Sequence, residues 1–224
     1  ARIQGYNSEQ IGMVLAWTGL PQLVLIPLVP KLMQRFDPRI VIGLGFALFA
    51  GSNFMNIYMT NDYATDQLLW PNIVRAVGQA LAFAPLSAVA TAGIEAENAG
   101  SASALFNMMR NLGGAIGIAA LQTLLTKREQ YHSNVLMQSV SLLEEATRSR
   151  IAQLTQYFMN HGVADQAAAT RRAIAAIGNV VQKQAYILAF SDTFYLLGVA
   201  LIIALVATLC LKKPGQLAGG GGAH

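Results

Sequence analysis

IVIGLGFALFAGSNFMNIYMT, residues 40–60, decides the fold. It holds no charged side chain over a length that as a helix covers the ~30 Å hydrocarbon layer of a bilayer, for which about 20 apolar residues suffice. It lacks the strict alternation of a barrel strand, and lipid leaves a non-barrel backbone only the helix, where every N–H and C=O is satisfied internally. Four further stretches read the same way. Residues 11–29 are uncharged, 68–94 carry Arg75, 99–126 carry Arg110, and 185–211 carry Asp192. Composition agrees. The chain is 54% hydrophobic and 12% charged, with a mean hydropathy of +0.44. Soluble domains hold roughly 25% charged residues, so this chain cannot coat a globule of its size with polar surface. The low charge and high hydrophobicity exclude disorder, and the single cysteine, Cys210, excludes a disulfide scaffold. The net charge of +4 is scattered over the connections, which gives no footprint for nucleic acid. The reading is an all-α integral membrane protein with five transmembrane helices.

Residues 1–10 have neither a basic n-region nor an apolar h-region, so they read as a truncated loop rather than a signal peptide. Pro21, Pro27 and Pro85 predict kinks or local breaks within spans. Trp70-Pro71 reads as the opening of the third span, with tryptophan at the interface and proline in the first turn. Residues 127–184 form a long loop between the last two spans. Ile151, Leu154 and Phe158, and again Ile174, Ile177 and Val181, repeat at helical spacing, with Asn160-His161-Gly162 between them as a helix stop. An amphipathic helical hairpin lying over the membrane surface is expected. Its apolar stripe either packs on the spans or docks a partner. Residues 212–224 read as a flexible Gly-rich tail. Short-loop charges orient the chain. Lys31, Arg35, Arg39, Lys212 and Lys213 fall on one side and Arg2 on the other, which makes the tail cytoplasmic.

Polar groups inside spans are the functional candidates. An ionisable residue there costs roughly 2.5–3.5 kcal/mol on insertion scales and marks a functional site by default. Arg110 is the deepest, with Asn107 one turn away. Arg75 has Gln79 one turn on, and Asp192 lies on the same side of the membrane, within reach of a pair. Gln22 is in the middle of the first span. Asn53, Asn56 and Asn72 read as interhelical glue. Gly113, Gly114 and Gly117 have GxxxG spacing and predict a close helix contact. The histidines, His132, His161 and His224, form no ligand spacing with Cys210, and no nucleophile elbow or phosphate loop is present. Neither an enzyme, a metal nor a cofactor is expected.

Residues 100–117, from Gly100-Ser-Ala-Ser-Ala through Asn107 and Arg110 to Gly117, resemble the eleventh core helix of major facilitator drug:proton antiporters with fourteen spans, the EmrB/QacA type. Gly5 to Gly12 resemble the loop and helix start before that family's eighth core helix. Residues 30–39 are similar to its cytoplasmic gating-loop motif, G-x-x-x-D-R-x-G-R-R/K, carried here by Arg35, Asp37 and Arg39, with Gln34 where an acid is usual and Pro30 and Asp37 where glycines are usual. The long loop and the Gly-rich ending are similar to the EmrB subgroup. The resemblance implies the last five core helices of a major-facilitator C-terminal half, in the bacterial inner membrane. It implies an N-terminal half outside this chain that carries the proton-coupling acids. It places the 127–184 loop in the periplasm and implies proton-driven, alternating-access export of hydrophobic drug-like compounds, with a periplasmic adaptor and an outer-membrane channel as partners. The alternative is a stand-alone five-span scaffold or subunit that binds a partner through residues 127–184.

Overall fold

The computed structural model describes residues 7–60, 65–91, 94, 97–141 and 144–210. Among these residues all regular structure is helical. The elements are α1 (Ser8–Leu25), a 3₁₀ turn (Ile26–Leu28), α2 (Val29–Arg35), α3 (Pro38–Met55), α4 (Thr65–Thr91), α5 (Ala99–Ser139), α6 (Glu145–Asn160) and α7 (Gln166–Leu209). The expected tail, the opening residues 1–6 and Arg2 lie outside the described residues.

Helix starts are set by local chemistry. Asn7 and Gln10 form a reciprocal capping box at α1, at 3.1 and 2.9 Å. Asp37 accepts from the Arg39 amide at 3.0 Å, ahead of Pro38 in the first turn of α3. Asp165 accepts from the Ala167 and Ala168 amides and starts α7. Pro27 breaks α1 from α2 as expected, because it has no N–H to continue the ladder. Pro21 and Pro85 instead sit inside continuous helices.

Several expected boundaries move. α3 stops at Met55 rather than 60. Near that end Ser52 and Asn53 side chains donate to Phe49 O, at 2.7 and 2.8 Å, and Asn56 donates to Ser52 O at 3.0 Å. These short polar side chains bond to their own helix, which competes with its continuation. α4 begins at Thr65, which puts Trp70-Pro71 in its second turn. α5 does not end at 126, and the last span is not a separate element: α7 joins the second arm of the expected hairpin to it in one helix. Neither Gly nor Pro occurs between Gly117 and Gly162, and a run of charge ends an apolar segment without ending a helix. Gly162, at φ +97°, supplies the left-handed residue that turns the chain between α6 and α7. With 41 and 44 residues, α5 and α7 are about 60 and 66 Å long, twice the ~30 Å hydrocarbon layer. A large part of each therefore stands outside it. The α6–α7 hairpin is carried on these two extensions.

Among the described residues, four stretches are long and apolar enough to cross a membrane: Ser8–Arg35, Pro38–Met55, Gln67–Ala90 and Gln166–Leu209. α5, the expected fourth span, has the length but not the hydropathy, because Arg110, Asn111 and Gln122 dilute its apolar run.

α3 is the centre, packed between α4 and α7. One core cluster joins Val29, Val41 and Leu81; a second joins Ile42, Phe46 and Ala82, with Leu201 and Leu205 of α7 against it. Glycines set the spacing. A Cβ built at Gly45 would stand 2.5 Å from Ala82 N, and one at Gly78 would stand 2.6 Å from Phe49 N, so α3 and α4 touch backbone to backbone. Gly198 admits the Phe54 ring in the same way. α1 lies on α4, α5 on α7, and α6 on the outer half of α7. α1 and α5 have no buried residue, and Met13, Leu23, Leu105, Met109 and Ile116 stand outward.

A polar cleft between α1, α4 and α5

α1 and α4 run in the same direction and are tied by three polar rungs. Asn72 Nδ2 donates to Val14 O at 3.3 Å, Arg75 Nη2 to Thr18 Oγ1 at 3.1 Å, and Gln22 Nε2 to Gln79 Oε1 at 2.7 Å. The registers explain it: 14, 18 and 22 lie on one face of α1, and 72, 75 and 79 on one face of α4. Arg75 is half-buried, and its Nε has no hydrogen-bond partner among the described residues.

Arg110 reaches this ladder from α5. It lines a cleft of ≈ 230 Å³ together with Gln22, Gln79, Ser87 and the apolar walls Ile26 and Phe83. It also lines an adjoining cleft of ≈ 370 Å³ with Ser87, Ser103, Phe106 and Asn107. Asn107 is exposed and donates to Ser103 O at 3.0 Å within its own helix. The structure thus brings Gln22, Gln79, Asn107 and Arg110 to one place, with Arg75 one turn from Gln79. Arg110 is exposed on the open side of the clefts and, among the described residues, makes no ion pair.

Asp192 is elsewhere. It accepts from His132 on α5 at 2.8 Å and has Arg128 Nε 3.7 Å away, while Arg75 faces α1. The expected Arg75–Asp192 pair therefore does not form. Sequence reading missed His132, because the register between α5 and α7 cannot be read from either helix alone. It also passed over Thr18, although Thr18 sits one turn before Gln22 on the same face.

Of the gating-loop residues, Asp37 caps α3 through the Arg39 amide, while Arg35 is exposed at the end of α2. Arg39 is half-buried, and its Nε and Nη2 have no hydrogen-bond partner among the described residues. A Cβ at Gly113, Gly114 or Gly117 would meet nothing within 4 Å, so the GxxxG face makes no close contact among the described residues. The close glycine contacts are those of Gly45, Gly78 and Gly198. No group of three His, Cys, Asp or Glu side chains among the described residues could hold a metal ion.

Long apolar helices around a cleft of amides and arginines define a multi-pass α-helical membrane protein. The Major Facilitator Superfamily profile matches residues 1–141, and the chain belongs to that superfamily. It is 26% identical over 218 residues to the fatty acid resistance protein FarB of Neisseria gonorrhoeae, covering 97% of this chain and 41% of that protein. It is 25% identical over 212 residues to the colistin resistance protein EmrB of Acinetobacter baumannii, covering 95% and 41%. It is also 25% identical over 227 residues to the multidrug export protein EmrB of Escherichia coli K12, covering 99% and 42%. The chain spans about two fifths of the length of these relatives. The superfamily, its EmrB-type relatives and the apolar helices make it a multi-pass protein of the bacterial inner membrane.

Proposed function

We propose that this chain is the C-terminal part of a proton-coupled multidrug or toxic-compound exporter that works by alternating access. One observation carries the reading. Gln22, Gln79 and Arg110, polar groups costly to keep in a span, converge on a single cleft, and Arg75 stands one turn from Gln79 on the ladder beside it. The multidrug and resistance functions in the relatives' names support export, and the chain's share of their length supports a second half. In such a transporter two helical halves rock about a site near the midplane, and this chain supplies one wall of it. α5 acts as the fourth span, its polar face turned to the cleft. Protons drive the exchange through acids of the other half.

The α6–α7 hairpin is the proposed periplasmic element, and an adaptor leading to an outer-membrane channel is its proposed partner. Two open grooves flank it. One, of ≈ 420 Å³, is lined by Leu154, Ile177 and Val180; the other, of ≈ 560 Å³, by Ile151, Met159 and Ile174. Those grooves equally suit the alternative reading, a scaffold that binds a partner through residues 127–184. The two part in an export assay. Efflux-deficient cells producing the full-length protein should accumulate less of a hydrophobic drug than control cells, and dissipating the proton gradient should remove the difference. Equal accumulation with the protein present in the membrane would leave the scaffold reading in its place.

A further inference from the structure

We propose that His132 of α5 and Asp192 of α7 form a proton-operated latch, which holds α5 against α7 at acid pH and loosens as pH rises. The latch lies on the side of the membrane that carries the hairpin, away from the cleft. Its test reads a distance rather than transport, so it stands apart from the exporter reading.

His132 Nε2 and Asp192 Oδ2 are 2.8 Å apart, and Arg128 Nε lies 3.7 Å from the same oxygen. An ionised carboxylate only accepts, so Nε2 carries the hydrogen and Nδ1 is the atom that can take up a proton. Uptake moves one proton from hydronium to Nδ1 and releases water. The Arg128–His132–Asp192 group then passes from net zero to +1. The hydrogen bond to Asp192 becomes an ion pair as well, so protonation favours the closed pair. That gain is lost as pH rises through the range in which an imidazole discharges, between pH 5 and 8.

The surroundings leave the imidazole as the titrating member. On α5, Arg128 and Glu129 precede it by about one turn, and the Tyr131 ring stands edge-on with centroids 5.4 Å apart. On α7, Tyr195 lies one turn inward of Asp192 and packs against Phe54, with Tyr186 and Lys183 further out. On α6, the first acids, Glu144 and Glu145, lie beyond the end of α5. α4 meets α5 beside Asn107 and Arg110, about six turns away. Guanidinium, ammonium, phenol and carboxylate groups ordinarily keep one charge state across the range in which an imidazole changes its own.

Little else holds α5. None of its 41 residues is buried, and it rests chiefly on α7 and only lightly on α4. One polar pair is therefore an appreciable part of its attachment. Neither Gly nor Pro follows Gly117 within α5, so the helix moves as a rod. Arg110, about 33 Å from His132 along the axis, is on the same rod, so a change at the latch reaches the cleft wall.

The test uses the full-length protein with its native cysteines, Cys210 among them, replaced by serine. Spin labels go on Gln138→Cys and Gln184→Cys, both exposed and about two turns beyond the pair on α5 and α7. Pulsed electron paramagnetic resonance in lipid nanodiscs, at about pH 5.5 and about pH 8, reads the distance between the helices across the imidazole range. A short distance should dominate at the lower pH. The ratio of long to short should rise about threefold at the higher pH, the scale of a partly exposed ion pair. His132→Gln, which keeps an N–H donor, and Asp192→Asn should each flatten this response. His161→Gln, at the other described imidazole, should leave it intact. A wild-type distribution that ignores pH, or shifts the opposite way, would overturn the inference. So would a response that survives His132→Gln or Asp192→Asn, or one that His161→Gln abolishes.

Discussion

Replacing Gly45 by alanine tests whether α3 and α4 are held together by backbone contact. The added Cβ would lie 2.5 Å from Ala82 N, 2.7 Å from Leu81 C and 2.9 Å from Ala82 Cα. Ordinary contact is about 3.5 Å, so the helices must part by roughly 1 Å. The obstructing atoms are backbone and cannot swing aside. Overpacking of this kind costs typically 1–3 kcal/mol, and a backbone clash belongs at the upper end, about 3. Alanine returns about 1 kcal/mol of helix propensity, leaving a net loss of about 2 kcal/mol. That corresponds to a fall of roughly 4–8 °C in thermal midpoint for a chain of this size, and to about half of that in a full-length protein of which it is two fifths. Gly113→Ala is the internal reference. Its Cβ meets nothing within 4 Å, so only the propensity gain applies and the midpoint should hold or rise. The assay is the midpoint of the purified full-length protein in detergent, followed by the loss of its monodisperse peak on heating. Because Gly45 and Gly78 face the same seam, the double alanine variant should cost much less than the sum of the singles. A rise of the midpoint in Gly45→Ala, or full additivity with Gly78→Ala, would refute the reasoning.

The Gln22–Gln79 bond should show in a double-mutant cycle with leucine at both positions as a coupling of about 0.6 kcal/mol, the typical value for a hydrogen bond between membrane helices. His132→Ala and Asp192→Ala should each lower the midpoint modestly, by about 1 kcal/mol equivalent or less since the pair is partly exposed, and the double variant should add little to either. Gly162→Ala forces a side chain into φ +97° and should cost about 1–2 kcal/mol locally, read as faster proteolysis between α6 and α7 with the spans intact.

Long uncharged runs such as 40–60 were legible because lipid admits few backbone solutions, and the Pro27 break because proline lacks a donor. Helix ends were less so. The end of a span and the end of a helix are different events: hydropathy marks the first, while caps and glycines mark the second. That is why α5 runs on past the end of its apolar segment and α7 starts well before its own. The members of the cleft could be named one by one, since a polar residue in a span is conspicuous. Their pairing could not, because it depends on the rotation of each helix about its axis. Arg75 thus meets Thr18 rather than Asp192. The glycines followed the same rule. Spacing drew attention to Gly113, Gly114 and Gly117, whereas the close contacts belong to Gly45 and Gly78, which carry no GxxxG signature.

The central claim is that the polar face of α1, α4 and α5 lines a water-filled path while the outer face of α1 meets lipid. Asn107 and Leu23 are both exposed, at the cleft and on α1 respectively, so exposure alone does not separate them. With Cys210 replaced by serine, single cysteines at these two positions of the full-length protein should be labelled in native membranes with a membrane-impermeant thiol reagent. The account predicts rapid labelling at Asn107→Cys, slowed by a transported compound, and negligible labelling at Leu23→Cys. Equal rates at the two positions, or no labelling at Asn107→Cys from either side of the membrane, would contradict it.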